Sequence, residues 1–474
     1  MGRELLRVGI VAFASSFPSI ALAGSTAVGE HFQIICDFDH EVVAKASLEA
    51  AEAVWGPTLE LFGAKSRAPK KPLKIHLYRR WESYRDVDED LTAGKFKDGY
   101  SFSSHKDKSA HIVLQPLVSD DALRAIGCPE ITRILVAHEA VHLAVYSAIP
   151  NHKAQPKWLR EGLSMYVSLK TLQSKGMIAA DEACPYTSTM QAQLQPMAAA
   201  NNLPRFSDWS SGRNKEIDFY TLYSLQWQFF SFMMTGEREA SMRAILAEAR
   251  KTGEGSKASK ALKKFISNTL VGDDDMASLD EAFRKHLEGL KPQWYQMGRS
   301  LEIRGNAWYQ GAFPNYQAGI LRMERPTERD FDIEGTAEFL PGTGKIDHIY
   351  VMLGEMNRDA IYVQFSAGNG VAAQRRYYTE NRWDLLGREE CEAVDHGKPF
   401  RFKASVRGEE LHVYVNGKLV FYCTIGDYDT TGRWGVGAGE GSACIWRDMR
   451  LTPASAKTKG KSGQSGKTGQ KSKK

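Results

Sequence analysis

The stretch "LVAHEAVHLAV" at residues 135–145 carries the side chains of this chain that are best spaced for chemistry. Residues four apart on a helix lie one turn above each other on the same face, so His138 and His142 can direct imidazole nitrogens at one metal ion. Zn²⁺ is a suitable ion, since imidazole binds it at about 2.0–2.1 Å. Glu139 is rotated from that line and can reach a metal-bound water without ligating the metal. Apolar residues around the motif predict that the rest of this helix is buried.

A catalytic zinc ion needs a third protein ligand and one open coordination position. The metzincin pattern, with a further histidine six residues on, is absent, because Val145 and Ala148 occupy its glycine and histidine places. Downstream, "KWLREGLSMYVS" supplies Glu161, which follows His142 after 18 intervening residues, on what the pattern predicts to be the next helix. Two antiparallel helices joined by a loop would bring Glu161 back over the histidine pair.

"HEAVH" followed by the glutamate of "WLREGLSMY" resembles the gluzincin zinc metallopeptidases, and most of all a peptidase-MA-like group with the pattern W-L-x-E-G-x-A-x-Y. The resemblance covers roughly residues 30–297. It implies that His138, His142 and Glu161 ligate Zn²⁺, with Glu139 as general base. The implied activity is hydrolysis of peptide bonds through a zinc-bound water. Ser164 departs from the pattern, which commonly has alanine at that position.

The resemblance also implies an electrophile for the oxyanion on a later helix. "DFYTLYSLQWQFFSFM" offers Tyr220 and Tyr223, and the Y-x-x-S pattern of the same group favours Tyr220. The alternative is that both tyrosines are core aromatics of an amphipathic helix. The absence of a G-x-M-E-N stretch favours an endopeptidase over an aminopeptidase. The predicted strand at 110–115 is either the sheet edge that would hold an extended peptide or an ordinary hairpin strand.

The two ends of the chain differ in composition from the rest. Residues 1–23 have a positive start, an apolar stretch and a small-residue site ending at Ala23, which predicts a cleaved signal peptide. The alternative is a short membrane anchor. Cleavage would leave no transmembrane segment in a secreted, periplasmic or cell-envelope protein. Residues 453–474 hold seven lysines and no acid, so they predict a disordered tail.

That tail explains the charge of the chain. The formal net charge is +5, and without the tail's seven lysines the remaining residues carry −2. The tail could adhere to an anionic surface through salt-sensitive contacts, or it could only increase solubility. We expect no specific nucleic-acid partner.

The periodicity of the sequence predicts a multidomain α+β protein. Residues 24–297 are expected to form a zincin-like mixed α/β domain whose C-terminal part is mainly helical. From about residue 300 the pattern changes to period two, as in "AIYVQF", and Asn416-Gly417 predicts a hairpin turn. Residues 298–452 therefore predict an all-β jelly-roll sandwich, with 291–300 as the junction.

The sandwich region resembles the concanavalin-like jelly rolls, including the laminin-G-like and keto-disaccharide-hydrolase-like modules. The resemblance lies in "FDIEGTAEF", "LHVYVNGKLVF" and "GRWGVGAGEGSACIWRDMRL". It implies a carbohydrate or cell-surface ligand. Trp308, Trp383 and Trp434 could stack on sugars, or they could be core aromatics. Six cysteines without a CxxC pair allow either disulfides or buried free thiols.

Together these features predict a secreted zinc-dependent peptidase that acts on peptide or protein substrates and is localised by a carbohydrate- or surface-binding sandwich. The alternative is an extracellular carbohydrate-binding or carbohydrate-modifying protein. In that alternative the N-terminal half is a non-catalytic, zinc-binding scaffold.

Overall fold

The computed structural model describes residues 24–454 apart from the segments 66–67, 97–100, 105–106, 115–126, 150–151, 180–183, 211–215, 254, 272–274, 298–300, 305–306, 311–317, 324, 341–346, 357–358 and 440–441. The predicted signal peptide and all but the first residues of the predicted tail lie outside the described residues.

A mixed sheet forms the N-terminal part of the described chain. Its strands are β1 (Thr26–Val28), β2 (Phe32–Cys36), β3 (Leu73–Tyr78), β4 (Ser101–Ser104) and β5 (Ser109–Val113), in the order β1-β2-β3-β5-β4. The pairs β2–β3 and β3–β5 are parallel, whereas β1 and β4 pair antiparallel to their neighbours.

This strand order corrects the expected peptide-binding edge. The described part of the predicted strand at 110–115 belongs to β5, which lies between β3 and β4 and is buried along its whole length. Within the residues that the structure describes, the short strand β4 is the last strand on that side of the sheet. One side of β5 is occupied by its parallel partner β3, so its antiparallel hairpin partner β4 lies on the other side.

The described part of the chain contains helices between residues 41 and 288, and they dominate the later part of this region as predicted. They are α1 (Glu41–Leu61), α2 (Trp81–Thr92), α3 (Glu130–Ala148), α4 (Lys157–Ser174), α5 (Pro185–Ala199), α6 (Phe206–Trp209), α7 (Phe219–Met233), α8 (Arg238–Lys251), α9 (Ser256–Val271) and α10 (Met276–Glu288). The mixture of helices and large sheets confirms the α+β class, while the zincin-like assignment stays a prediction.

One face of the mixed sheet packs against α1 and α3. Alternate residues of the strands, such as Ile34, Ile75 and Ile112, are fully buried in the same hydrophobic core as residues of these two helices. This is the expected result of period-two strands facing amphipathic helices. The core holds α3 rigidly against the sheet, so its polar residues have fixed positions.

Gly162 allows α4 and α7 to approach closely. A β-carbon at this position would lie 2.6 Å from the backbone oxygen of Gln226 and 2.9 Å from the β-carbon of Phe230, both on α7. No ordinary packing tolerates contacts this short. Glycine is therefore required in "REGLS" because another helix occupies the space of its side chain.

From residue 294 onward the described chain forms two antiparallel seven-stranded sheets. One sheet contains β7 (Leu301–Arg304), β8 (Ala307–Gln310), β10 (Phe331–Leu340), β15 (Phe400–Arg407), β16 (Glu410–Val415), β17 (Lys418–Thr424) and β19 (Ala443–Pro453). The other contains β6 (Trp294–Met297), β9 (Ala318–Arg322), β11 (His348–Met356), β12 (Asp359–Ser366), β13 (Gly370–Tyr377), β14 (Arg382–Glu389) and β18 (Arg433–Ala438).

The two sheets share one core, which confirms the predicted β-sandwich. Ile361, Val363 and Phe365 of β12 are fully buried and alternate as predicted. The ring of Phe365 lies 5.3 Å from that of Phe402 in the opposite sheet. Asn416 and Gly417 form the turn between β16 and β17 with φ angles of 49° and 81°, the left-handed pair that a type I′ hairpin requires.

The sandwich begins slightly before the predicted boundary at residue 298. Strand β6 lies inside the predicted junction and pairs with β9. The Ser188 hydroxyl of α5 accepts a hydrogen bond from the Trp294 backbone N–H at 2.8 Å, so the helical region and the sandwich are in contact at this strand.

The six cysteines form no disulfide in this structure. Burial raises the pKa of the Cys36 thiol to about 12 and that of Cys184 to about 11, so both thiols are protonated and unreactive at neutral pH. No helix in the described part of the chain combines the length and apolarity needed to cross a membrane.

Replacing Gly162 with alanine should destabilise the fold by roughly 1–3 kcal/mol, the usual cost of overpacking a close contact. The measurement is the free energy of unfolding in urea. Gly289 is the matched control, because its φ of −77° and a nearest β-carbon contact of 3.5 Å leave room for a methyl group. Gly289→Ala should change stability by less than about 0.5 kcal/mol, and equal losses in both variants would contradict the steric explanation.

Candidate metal centre

The two histidines and Glu139 lie on the buried face of α3. His138, Glu139 and His142 are 4%, 3% and 6% exposed. Their burial follows from the local sequence, because Val136 and Val141 of the same helix are fully buried in the core. Polar groups placed so deeply need partners, and those partners come from α4, α7 and β4.

Glu161 of α4 completes a cluster of three possible metal ligands with the two histidines. Its Oε2 atom lies 3.5 Å from Nε2 of His138 and 3.4 Å from Nε2 of His142, and the two Nε2 atoms are 3.1 Å apart. Ligand atoms around a tetrahedral zinc ion with bonds of 2.0–2.1 Å are separated by about 3.3 Å. The three distances therefore fit one face of a zinc coordination tetrahedron.

The charges in the cluster reinforce this arrangement. Burial by itself raises the pKa of Glu161, but the neighbouring His142 and His138 outweigh it and hold the pKa well below its ordinary value. Glu161 is therefore a carboxylate at neutral pH. One negative oxygen facing two imidazole nitrogens is the donor set that Zn²⁺ prefers, so the residues fit the ion that the sequence implies.

Ser164, one turn after Glu161, contacts the other side of His142. Its hydroxyl oxygen lies 3.2 Å from Nδ1 of His142 and is buried. A zinc-ligating histidine usually donates its second ring N–H to such a group, which fixes its tautomer and orientation. The position where this chain departs from the W-L-x-E-G-x-A-x-Y pattern therefore supplies a hydrogen bond that alanine cannot supply.

Glu139 lies beside the three ligand atoms, where His138, Glu161 and two serines of β4 act on its carboxylate. The hydroxyls of Ser101 and Ser103 act on its carboxylate and lower its pKa, while its buried Oε2 atom has no hydrogen-bond partner among the described residues. Burial raises the pKa of Glu139, and the two hydroxyls and His138 counter part of that effect. A buried carboxylate oxygen without a donor is costly, so this atom is available to take a proton from a ligand.

Of the two candidate tyrosines, Tyr223 is the one at the cluster. Its hydroxyl lies 3.0 Å from both ring nitrogens of His138, and burial raises its pKa well above the ordinary value. Tyr220 is 57% exposed. The Asp218 carboxylate caps α7 by accepting from the backbone N–H groups of Tyr220 and Thr221, each at 3.0 Å, which fixes the start of the helix and hence the direction of Tyr223.

The structure thus brings together His138, His142 and Glu161 with Glu139 beside them, and it puts Tyr223 where the sequence favoured Tyr220. Sequence reasoning missed Ser101 and Ser103. The serine alternation in "SFSS" was the available signal, since residues two apart on a strand share a face.

The three tryptophans considered as sugar-stacking residues have different surroundings. Trp308 and Trp434 are buried in the sandwich core, where Trp308 packs edge-on against Trp294. Trp383 is 39% exposed on β14. Of the three, only Trp383 is accessible to a ligand.

No protein-family model matches this chain, and no curated protein matches it. Solved structures with partial similarity include the carbohydrate-binding module CBM66 from Bacillus subtilis, with 12% identity over 34% of this chain and 95% of that chain at a TM-score of 0.30. Sheep galectin-11 in complex with glycerol has 17% identity over 30% of this chain and 99% of that chain, with a TM-score of 0.24. The exoplasmic/lumenal domain of VIP36 in its Ca²⁺/Man-bound form has 14% identity over 34% of this chain and 84% of that chain, with a TM-score of 0.29.

Replacing Ser164 with alanine should weaken zinc binding about 10- to 100-fold, as loss of a ligand-orienting partner usually does. The measurement is a zinc titration against a chromogenic chelator. Ser168 is the matched control, because this buried serine lies one turn further along α4 and donates only to the backbone oxygen of Met165. Equal zinc affinities of Ser164→Ala and Ser168→Ala would refute the orienting role.

Proposed function

We propose that this protein is a zinc-dependent peptidase of the gluzincin type. The observation that carries the proposal is the set of three distances, 3.1, 3.4 and 3.5 Å, between the Nε2 atoms of His138 and His142 and the Oε2 atom of Glu161. A carboxylate and two imidazoles would hold the ion, and the free corner of the tetrahedron would be left for water or substrate.

Zinc held by these residues would lower the pKa of a coordinated water towards 7 and polarise a substrate carbonyl. Glu139 accepts the proton that the attacking water loses and passes it to the leaving amine. Its raised pKa suits both steps, since a base of this kind must also become an acid.

Tyr223 is the better candidate for stabilising the oxyanion. Its raised pKa keeps the hydroxyl protonated at neutral pH, so it remains a hydrogen-bond donor. A fixed donor aimed at the developing negative charge lowers the barrier without reorganisation. In the free enzyme the same hydroxyl lies against His138, which holds it in position.

The substrate peptide would lie along β4. This strand ends the sheet within the described residues, and Ser101 and Ser103 of the same strand reach Glu139. A peptide that pairs with β4 would therefore pass the general base, and backbone pairing is independent of sequence. Such binding favours cleavage inside a chain over removal of its first residue.

We further infer that the sandwich is a binding module that localises the peptidase at a carbohydrate or a cell surface. The observation that favours this role is the exposed Trp383 on a sheet whose other tryptophans are buried. The alternative is a carbohydrate-modifying sandwich with an inert N-terminal half. It has less support because a candidate general base, Glu139, lies next to the three possible metal ligands.

Replacing Glu139 with glutamine should lower peptide hydrolysis by about 10²- to 10⁴-fold, the usual contribution of a general base, and leave zinc binding intact. Cleavage of a quenched fluorescent peptide library and the zinc content per chain measure the two effects. Glu161→Gln is the contrasting variant, and it should lose zinc and activity together. Full activity of Glu139→Gln would refute the mechanism, and cleavage that persists after removal of zinc with a chelator would refute the class.

Replacing Tyr223 with phenylalanine should reduce kcat about 10²- to 10³-fold, as loss of one oxyanion donor does in other hydrolases. Tyr220→Phe is its control, three residues away on the same helix, and should retain nearly full activity. A reduced kcat in Tyr220→Phe together with full activity in Tyr223→Phe would assign the stabilisation of the oxyanion to Tyr220 instead.

A further inference from the structure

A cavity lies on the outer face of the sheet that contains β11, β12, β13 and β14. It has a volume of about 230 Å³ and is lined by His348, Tyr350, Tyr362, Gln364, Gln374 and Trp383. The register explains why these residues meet, since Tyr350 pairs with Gln364 and Tyr362 pairs with Gln374 across neighbouring strands. Strand alternation sends all of them to the face opposite the sandwich core.

Aromatic side chains form one side of this cavity. The rings of Tyr350 and Tyr362 lie 5.1 Å apart and that of Trp383 lies 5.0 Å from Tyr362. The tyrosines are buried, whereas Trp383 is partly exposed. An indole that is exposed at the mouth of a cavity and supported by buried rings offers a flat surface to a ligand with an apolar face.

Arg376 holds this surface in place. Its guanidinium group lies over the Trp383 ring at 5.2 Å from the centroid, and it acts on the neighbouring Tyr362 hydroxyl, whose pKa it lowers against the larger effect of burial. The indole is therefore fixed by a cation–π contact and needs little further ordering when a ligand binds. Preorganisation of this kind favours affinity.

Amide groups form the polar side of the cavity. Nε2 of Gln374 donates to Oε1 of Gln364 at 3.3 Å, and Nε2 of Gln364 donates to the Ser366 hydroxyl at 3.0 Å. A side-chain amide has two donors and two acceptor positions, so each glutamine keeps capacity for a ligand. Hydroxyl groups both donate and accept, and they are the natural partners of such an amide pair.

The charges and the volume of the cavity restrict the class of ligand that it can bind. Among the described residues that line the cavity there is no Asp, Glu, Lys or Arg, and the neighbouring Arg376 is engaged over the Trp383 ring, which favours a neutral ligand. It also speaks against glycoside hydrolysis at this place, because that reaction needs a pair of carboxyl groups. The volume is below the ~300–1,000 Å³ of pockets for drug-sized molecules and suits a single sugar ring.

We propose that this cavity binds one hexopyranose residue of a neutral glycan, with Trp383 stacked on the face of the ring and Gln364 and Gln374 bonded to its hydroxyls. The proposal rests on the binding role proposed for the sandwich and is independent of the zinc chemistry. It names the site and the class of ligand for that role.

The test is calorimetric titration of the full-length protein with cellotetraose, maltotetraose, chitotetraose and tetragalacturonate. Wild-type protein should bind at least one of the three neutral tetrasaccharides. Trp383→Ala and the double variant Gln364→Ala/Gln374→Ala should each weaken that binding at least about tenfold, as loss of a central anchor does. Tyr422→Ala is the control, because Tyr422 is 65% exposed on β17 of the other sheet, and it should bind like the wild type.

Three results would overturn the proposal. Binding of tetragalacturonate alone would mean that the ligand is anionic. Unchanged binding by both cavity variants would move the site elsewhere on the sandwich and leave the sandwich's binding role intact. Binding of none of the four sugars would remove the carbohydrate role itself, and peptide cleavage by the same preparation would show that the peptidase proposal survives.

Discussion

The approach of one carboxylate oxygen to two imidazole nitrogens is the constraint on which the interpretation of this molecule depends. An imidazole Nε2 atom that faces a carboxylate must either carry a proton and donate it or share a cation with the carboxylate, and here two Nε2 atoms 3.1 Å apart face the same oxygen. The three groups are largely removed from water, where unpaired polar atoms are costly. A divalent cation satisfies all three lone pairs together, and a single proton satisfies fewer.

Packing elsewhere in the helical region makes this approach possible. Helix α3 packs against the sheet and α1, and this packing fixes the orientation of the helix face that carries His138 and His142. Helix α4 comes close to α7 because Gly162 has no side chain to keep them apart. The same contact brings α7 near the cluster, and Tyr223 reaches His138 from it. Gly162, the residue after Glu161, therefore contributes to the site by letting α4 and α7 approach each other.

In the sandwich, the core and the cavity lie on opposite faces of the same sheet. Its inner faces bury Trp308 and Trp434 in a continuous core, whereas the outer face of one sheet keeps aromatic and amide residues in register around a cavity. A fold that buries its core so completely can place polar residues on an outer face without loss of stability. This separation would allow a rigid scaffold to carry the proposed binding surface.

The sequence by itself determined the elements and the types of the site residues. The i, i+4 histidines, the buried helix that carries them, the helix that carries Glu161 and the alternating strands are local patterns, and local patterns are set by backbone geometry. Tertiary structure alone decided which tyrosine faces His138, which strand ends the sheet and which tryptophan is exposed. Tyr220 and Tyr223 lie within one turn, so only the rotation of α7 against α4 separates them. The hairpin could fold β4 or β5 outward, and the parallel pairing of β5 with β3 made that choice. Each of these outcomes depends on contacts between residues far apart in the chain, which no local pattern records.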